Sequence, residues 1–278
     1  MATNLTQIVS AGLDTIYAGL VDADGLFGGT TAAPAEASDN GGFQVLGPQS
    51  ADLTIPEMER VNVPGSDGRL ATFQFDAVEE SGFIFEAGAI DMDMAAASQG
   101  DAVDDVASIY KLLGLRPGRR TPQTMWWVMN SQAKSQASGS LGNPGWLVLV
   151  LKVEVTYLGP SGIANRGPHT HRFSAIAQPA DTYPWGQTPA SGMSYDGWLF
   201  HSENRMRLHR HEGDNSDTTF TLSELPAAAD RVHVYKAGTL QTITTDYTVN
   251  TETGVVTYED GSKPGAGVAT VVLYEIAP

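Results

Sequence analysis

The histidines are the residues of this sequence whose spacing could support chemistry. Two H-x-H pairs occur, His169-Thr170-His171 and His209-Arg210-His211. On a β-strand, residues i and i+2 point to the same face, so each pair would present two imidazoles together, as a metal site requires. However, no carboxylate follows the first pair closely, and the flanking arginines oppose a cation. We therefore predict surface histidines on strands, with a metal site as the less favoured alternative.

Other catalytic patterns are missing from the sequence. Ser138-Gly139-Ser140 lacks the G-x-S-x-G frame of a serine hydrolase, and no phosphate-binding or dinucleotide-binding glycine motif occurs. Asp91 and Asp93 form a carboxylate pair, but a helix N-terminus favours acidic residues and is a sufficient explanation. With no cysteine, the chain has no thiolate ligand and no thiol nucleophile. The sequence therefore predicts neither an enzyme nor a cofactor.

The net charge of -16 is concentrated in the first part of the chain. Residues 1–110 contain 18 acidic residues against Arg60 and Arg69 only (2 - 18 = -16), whereas residues 111–278 contain 14 acidic and 14 basic residues. Such a field repels phosphate, so it argues against a nucleic-acid binder. The general alternative is a surface that keeps the protein in solution.

The clearest strand pattern lies between Arg69 and Met94. Bulky residues alternate with polar ones over Leu70–Phe75 and again over Phe83–Ala87. The polar linker Val78–Gly82 predicts that these two strands form a β-hairpin with one buried and one acidic face.

Helical patterns follow this stretch, over Asp91–Ala97 and over Asp101–Leu113. Asp22 and Asp24 resemble the start of a calcium loop, but the later ligands are missing. Loops are predicted over residues 22–42, 131–145 and 179–193. Further strands are predicted over Leu13–Leu20, Phe43–Leu46, Ala51–Ile55, Val61–Val63, Gln123–Asn130, Gly145–Leu158, Arg172–Gln178 and Gly197–His211.

The character of the sequence changes near Asp214. From Thr218 onward, about five short strand patterns follow one another, separated by turn sequences such as Lys236-Ala237-Gly238. We predict two domains, residues 1–213 with the long loop 22–42, and residues 214–278 as a small immunoglobulin-like β-sandwich.

Two segments carry a resemblance to a known family. The run from Pro56 through a glycine turn to Ala71–Phe75 and Gly82–Glu86 resembles the major tail tube proteins of long-tailed, siphovirus-like bacteriophages. The segment VHVYKAGTLQ followed by DYTVNTETGVVTY is similar to immunoglobulin-like modules of phage structural proteins. The resemblance implies a mainly β fold, with a β-sandwich or half-barrel flanked by one α-helix. It also implies six copies in a ring, and rings stacked into a hollow tube of the virion tail that conducts DNA.

An acidic strand face would keep passing DNA from adhering to the wall of such a tube. The candidates for lining the lumen are Asp76, Glu79, Glu80, Glu86 and Asp91. Arg116, Arg119 and Arg120 are candidates for contact with the acidic segment of a neighbouring protomer, or else a solvated basic turn. Asp22 and Asp24, in the loop 22–42, are candidates for contact between rings.

The partners expected on this reading are further copies of the chain, other tail proteins and transiently passing DNA. The chain would be made in the bacterial host cytoplasm and located in the virion. No signal peptide and no membrane insertion are expected, because the N-terminus and the longest apolar run lack the required features. The alternatives are a capsid decoration or other virion protein, and a metal-dependent β-sandwich enzyme or carbohydrate-binding module. The latter is suggested by the histidine pairs and five tryptophans.

Overall fold

A computed structural model describes residues 8–28, 42–46, 48–54, 59–64, 70–75, 82–87, 92–99, 104–106, 110–112, 123–137, 140–161 and 170–278. The fold is mainly β, as predicted, and its largest sheet is a curled half-barrel. The elements in chain order are β1 (Ile8–Leu20), β2 (Phe43–Leu46), β3 (Pro48–Thr54), β4 (Glu59–Pro64), β5 (Leu70–Phe75), β6 (Gly82–Ala87), α1 (Met92–Ala97), β7 (Asp104–Val106), β8 (Tyr110–Leu112), β9 (Gln123–Ala137), β10 (Ser140–Ser161), β11 (Thr170–Ala177), β12 (Gly197–Ser202), β13 (Met206–Glu212), β14 (Thr219–Thr221), β15 (Val232–Lys236), β16 (Thr239–Leu240), β17 (Tyr247–Asn250), β18 (Val255–Tyr258) and β19 (Ala269–Glu275).

The half-barrel has eight strands in the order β2-β1-β9-β10-β11-β6-β3, and β12 pairs with the first half of β10. Next to the central strand β10 lies β9, in which Met125–Asn130 are all buried. Because consecutive side chains of a strand point in opposite directions, β9 is covered on both faces. Trp127 and Met125 enter one hydrophobic core together with Met94 of α1, whereas Trp126 and Val128 enter a second core on the other face. Strands occur at the predicted positions, except that Gly197–His211 is divided into β12 and β13, and α1 (Met92–Ala97) lies within the predicted helix 91–97.

The second core joins the half-barrel to the C-terminal strands. These form two sheets, β13-β19-β15-β16 and β14-β18-β17, so the chain from 206 onward is a small two-sheet unit. Val150 of the half-barrel and Val272 of the C-terminal unit belong to one continuous hydrophobic cluster. The immunoglobulin-like assignment stays a prediction, and so does the domain boundary at 213/214, although β13 pairs with β19 beyond that boundary.

The predicted hairpin between Leu70–Phe75 and Phe83–Ala87 is wrong. β5 pairs with β4 instead, and β6 lies between β11 and β3. The connections β4–β5 (residues 65–69) and β5–β6 (residues 76–81) are almost equally long, so the entropy of loop closure does not decide between the two pairings. β6 instead pairs on both sides within the large sheet.

The predicted helix over Asp101–Leu113 is also wrong, because β7 and β8 pair as antiparallel strands within it. Val103, Val106 and Ile109 are β-branched, and a short apolar run containing such residues fits a strand as well as a helix. The predicted loop 131–145 is replaced by the extended ends of β9 and β10, which pair as far as Ala137 with Ser140.

One part of the half-barrel remains uncovered, and we call it the outer face. It lies on the second half of β10 and on β11 and β6, where its residues alternate with buried ones such as Val153 and Phe173. The C-terminal unit covers the other half of the same sheet surface through Val148 and Val150. The outer face consists of Ile84, Glu86, Lys152, Glu154, Thr156, Leu158, Arg172, Ser174 and Ile176, all of them exposed or half-buried.

Candidate functional site

Glu86 is the one predicted lumen residue within the described residues. It lies opposite Arg172 in the β6–β11 pairing, and its Oε1 atom is 3.4 Å from Nε of Arg172. Thr170 donates a hydrogen bond to the other carboxylate oxygen at 3.3 Å. Both charged groups are substantially exposed, so solvent screens this pair and it stabilises the fold little. Asp76, Glu79, Glu80 and Asp91 lie outside the described residues.

The charges on the outer face are balanced rather than acidic. Glu86 and Glu154 are matched by Lys152 and Arg172, and the apolar side chains of Ile84 and Leu158 remain 45% and 42% exposed. In the strand register Ile84 lies opposite Ser174, whereas Leu158 lies near the end of β10 at the shift between Tyr157 and Gly159, so the two apolar side chains are separate. The outer face therefore combines exposed aliphatic side chains with charges of both signs and has no acidic excess.

The acidic residues predicted to contact other rings occupy a tight turn. Asp22 accepts hydrogen bonds from the backbone N–H groups of Asp24 and Leu26, at 3.0 and 2.8 Å, and its other oxygen is 3.4 Å from Nε of Arg210. Asp22 is thus engaged within its own chain, whereas Asp24 is exposed. The basic candidates Arg116, Arg119 and Arg120 lie outside the described residues, as does most of the loop that follows Asp22.

The second histidine pair is buried, which corrects the prediction of surface histidines. His209 is fully buried, and its Nδ1 atom is 3.1 Å from the hydroxyl of Ser223. His211 Nε2 is 3.2 Å from a carboxylate oxygen of Asp217. Phe220 stacks on both imidazoles, with ring centroids 5.7 and 4.8 Å away.

Burial controls the protonation of this pair. It lowers the pKa of His209 to about 3, with the charge of Arg207 as a smaller contribution. The pKa of His211 is also lowered, mainly by burial, although Asp217 opposes the shift. Both rings are therefore neutral at pH 7.

These histidines do not form a catalytic relay. Ser223 contacts one imidazole and Asp217 contacts the other, so no single histidine joins a nucleophile to a carboxylate as a triad requires. A cavity of about 430 Å³ lies beside His211, Asp217 and Ser223. Within the described residues, no group of three or more histidine and acidic side chains is placed to hold a metal ion.

The first histidine pair is separated from the second. His171 lies on β11 with its Nδ1 atom 2.8 Å from the hydroxyl of Tyr157, and His169 lies outside the described residues. His171 and the second pair therefore lie in different sheets, on β11 and β13.

The segment 179–193 is a loop, as predicted, but aromatic side chains fix it to the surface. Trp185 is buried and stacks on Tyr183 with ring centroids 4.7 Å apart and nearly parallel planes. Trp185 also contacts Phe200 of β12 and Tyr235 of β15. The loop therefore joins the half-barrel to the C-terminal unit.

A second cavity lies where β1, β9 and β10 meet the end of the chain. It has a volume of about 370 Å³, and we call it the Trp146 cleft. Trp146 is partly exposed in the cleft and also packs against the hydrophobic cluster that joins the half-barrel to the C-terminal unit. The sequence did not predict the residues that line the Trp146 cleft, because no local motif links them and Gln132 lies in a predicted loop. The cleft is lined by Asp14, Gln132, Trp146, Asn204, Arg205, Ile276, Ala277 and Pro278.

In comparisons with known proteins, no family model matches the chain, and no curated protein or solved structure does so. The described residues contain no helix that is long and apolar enough to cross a membrane.

Proposed function

We propose that this chain is a structural subunit of a phage tail tube, which assembles with copies of itself into stacked rings around a channel for DNA. The proposal starts from the resemblance of the sequence to major tail tube proteins. A curled half-barrel with the helix α1 packed against it is the kind of fold that the resemblance implies. The acidic excess of residues 1–110 suits a channel that must not bind DNA.

The observation that carries the proposal is the outer face. A strand face with solvent on one side normally carries polar side chains, yet Ile84 and Leu158 are exposed on the same face as two acidic and two basic residues. Contact with another copy would bury these aliphatic side chains and pair the charges. We assign the outer face to the contact between neighbouring subunits.

This assignment refines the expected lumen. Glu86 lies at the edge of the contact surface beside Arg172, so it is the weakest of the five lumen candidates. Asp76, Glu79, Glu80 and Asp91 remain the main candidates for the wall of the channel. A structure of the tube with these four side chains turned away from the bore would contradict this part of the proposal.

Negative-stain electron microscopy of the purified chain tests the proposal directly. The wild-type protein should form rings or rods, and Ile84→Asp should remain folded but monomeric, because a carboxylate would be buried without a partner. Leu240→Asp is the matched control, since Leu240 is also exposed, at 52%, but lies in the C-terminal unit. This control variant should assemble normally.

Two results would contradict the proposal. One is a wild-type protein that stays monomeric at high concentration and forms neither rings nor rods. The other is an Ile84→Asp variant that assembles as well as the Leu240→Asp control. Particles that decorate capsids instead of forming tubes would favour the alternative virion role.

A further inference from the structure

Three neighbouring strands of the half-barrel present chemically distinct side chains in a row. Trp146 on β10 lies directly opposite Gln132 on β9. Asp14 on β1 lies at a register shift between Leu13 and Thr15, beside the same stretch of β9. Bulges of this kind redirect a side chain, and they often occur next to functional sites. The carboxylate of Asp14 therefore lies in the same cleft as the amide of Gln132 and the indole of Trp146.

The residues after β12 form a wall of the Trp146 cleft. The guanidinium carbon of Arg205 lies 5.9 Å from the centre of the Trp146 ring, and Nη1 of Arg205 is 3.6 Å from Oδ2 of Asp14. The amide of Asn204 donates to a carboxylate oxygen of Glu275 at 3.1 Å, which fixes its orientation. Asn204, Asp14 and Arg205 are therefore held in place before any ligand arrives.

Several groups in the cleft retain unused hydrogen-bonding capacity. The indole N–H of Trp146 and the amide of Gln132 make no hydrogen bond to the described part of the chain. Oδ1 of Asp14 and the side-chain amide oxygen of Asn204 likewise accept no hydrogen bond from the described part of the chain. The cleft thus offers both donors and acceptors beside an aromatic ring.

We propose that the Trp146 cleft binds a neutral pyranose residue of a saccharide. A pyranose has hydroxyl groups that donate and accept at its edge, which match the amides, the carboxylate and the guanidinium. It also has an apolar C–H face, which can pack on the part of the Trp146 indole that Arg205 and the core leave exposed. A purely apolar ligand would leave the polar groups of the cleft unpaired. An anionic ligand would meet the carboxylate of Asp14 in a chain of net charge -16.

Saturation-transfer NMR on the full chain tests this proposal, with glucose, galactose, mannose and N-acetylglucosamine as separate probes. At least one of these sugars should bind with a dissociation constant of about 1 mM, as expected for a small, open site. Gln132→Ala should weaken this binding by roughly tenfold, the effect of losing one directed hydrogen bond. Gln123→Ala, at the other end of β9, is the matched control and should bind as the wild type does.

The proposal is independent of tube assembly, so either can fail while the other stands. It would be overturned if none of the four sugars bound at a sugar concentration of about 10 mM, which is tenfold above the expected dissociation constant. It would also be overturned if a sugar bound to Gln132→Ala and to Trp146→Ala as tightly as to the wild type, with both variants shown by circular dichroism to be folded. Binding that both variants lose, while Gln123→Ala keeps it, supports the proposal.

Discussion

The imidazole of His209 is a neutral group held in the core beside a cation. Its ring is enclosed by Phe220 and Ser223 of the opposing segment, with Arg207 and His211 as its charged or titratable neighbours on β13. A proton on this ring would be buried close to the guanidinium of Arg207. The H-x-H pattern signalled two histidines on one strand face, but nothing local indicated that this face would be inside.

We predict that His209 makes the fold sensitive to acid. Its pKa is about 3 in the folded state and 6.5 in the unfolded state, so between these values only the unfolded chain binds the proton. The free energy of unfolding should therefore fall as the pH falls from 6.5 towards 3, by up to about 1.4 kcal/mol per pH unit from this residue. The contribution is fully present above pH 6.5.

Urea unfolding at a series of pH values measures this effect. His209→Gln, which keeps an amide near Ser223 but does not titrate, should show a shallower loss of stability over the same range. His211 and the carboxylates titrate in both proteins, so the difference between the two curves isolates His209. Parallel curves for the wild type and His209→Gln would refute the prediction.

At the scale of elements, the sequence indicated most strands but few of their partners. The strand predicted over Gly145–Leu158 falls within β10, which lies between β9 and β11 in the middle of the half-barrel. Its sequence is first apolar on both faces and then alternates, as expected for a strand that is covered on both sides over part of its length. The pairing of β6 with β3 and β11 depends on how the sheet curls. No local signal encodes that, so the hairpin with β5 was the wrong choice.

The Trp146 cleft shows the same limit for a candidate site. Asp14, Gln132 and Arg205 lie far apart in the sequence and become neighbours only through the strand order β1-β9-β10 and the turn after β12. The bulge that redirects Asp14 depends on its pairing with β9. Residue types alone could therefore suggest a carbohydrate-binding module as an alternative but could not locate its site.

The turn between β15 and β16 provides a test at this scale. Ala237 and Gly238 both have positive φ angles, 46° and 76°, as tight hairpin turns require. A Cβ atom on Gly238 would also lie 2.7 Å from the backbone oxygen of Gly186, in the aromatic loop. Gly238 thus serves both the turn and the close approach of that loop.

We expect Gly238→Ala to lower the free energy of unfolding by at least about 2 kcal/mol, from left-handed strain together with the contact to Gly186. Ala237→Gly is the control, and it should change the free energy by less than about 1 kcal/mol, because relief of strain and added chain entropy oppose each other. Chemical denaturation measures both values. Equal stability of the two variants would show that the loop does not constrain the turn.

At the scale of the whole molecule, ion pairs as well as the shared core hold the N-terminal part of the chain against the C-terminal unit. Arg205 and Arg210 lie 3.6 and 3.4 Å from Asp14 and Asp22, which belong to the acidic first part. Arg207 is 3.0 Å from Glu224, and the hydroxyl of Tyr17 contacts the same carboxylate. Burial and this carboxylate raise the pKa of Tyr17 to about 12. The composition of the sequence located the acidic excess, but it did not show which arginines form ion pairs with those acidic residues.

The shared core changes what truncation should do. If residues 214–278 merely decorated the outside of a tube, their removal would still permit tubes. In the structure, that cut leaves β13 without β19 and uncovers Trp126, Val128 and Val150 on the half-barrel. Exposure of such a contiguous apolar surface drives aggregation or unfolding.

We therefore predict that residues 1–213 alone are insoluble or lack cooperative unfolding, as judged by size-exclusion chromatography and thermal denaturation. Residues 203–278 should fold alone, because β13–β19 keep both of their sheets and apolar residues between them, although a unit of this size has little stability to spare. The two fragments thus serve as controls for each other. A soluble 1–213 fragment that unfolds cooperatively and forms rods would show instead that the half-barrel is complete without its C-terminal partner.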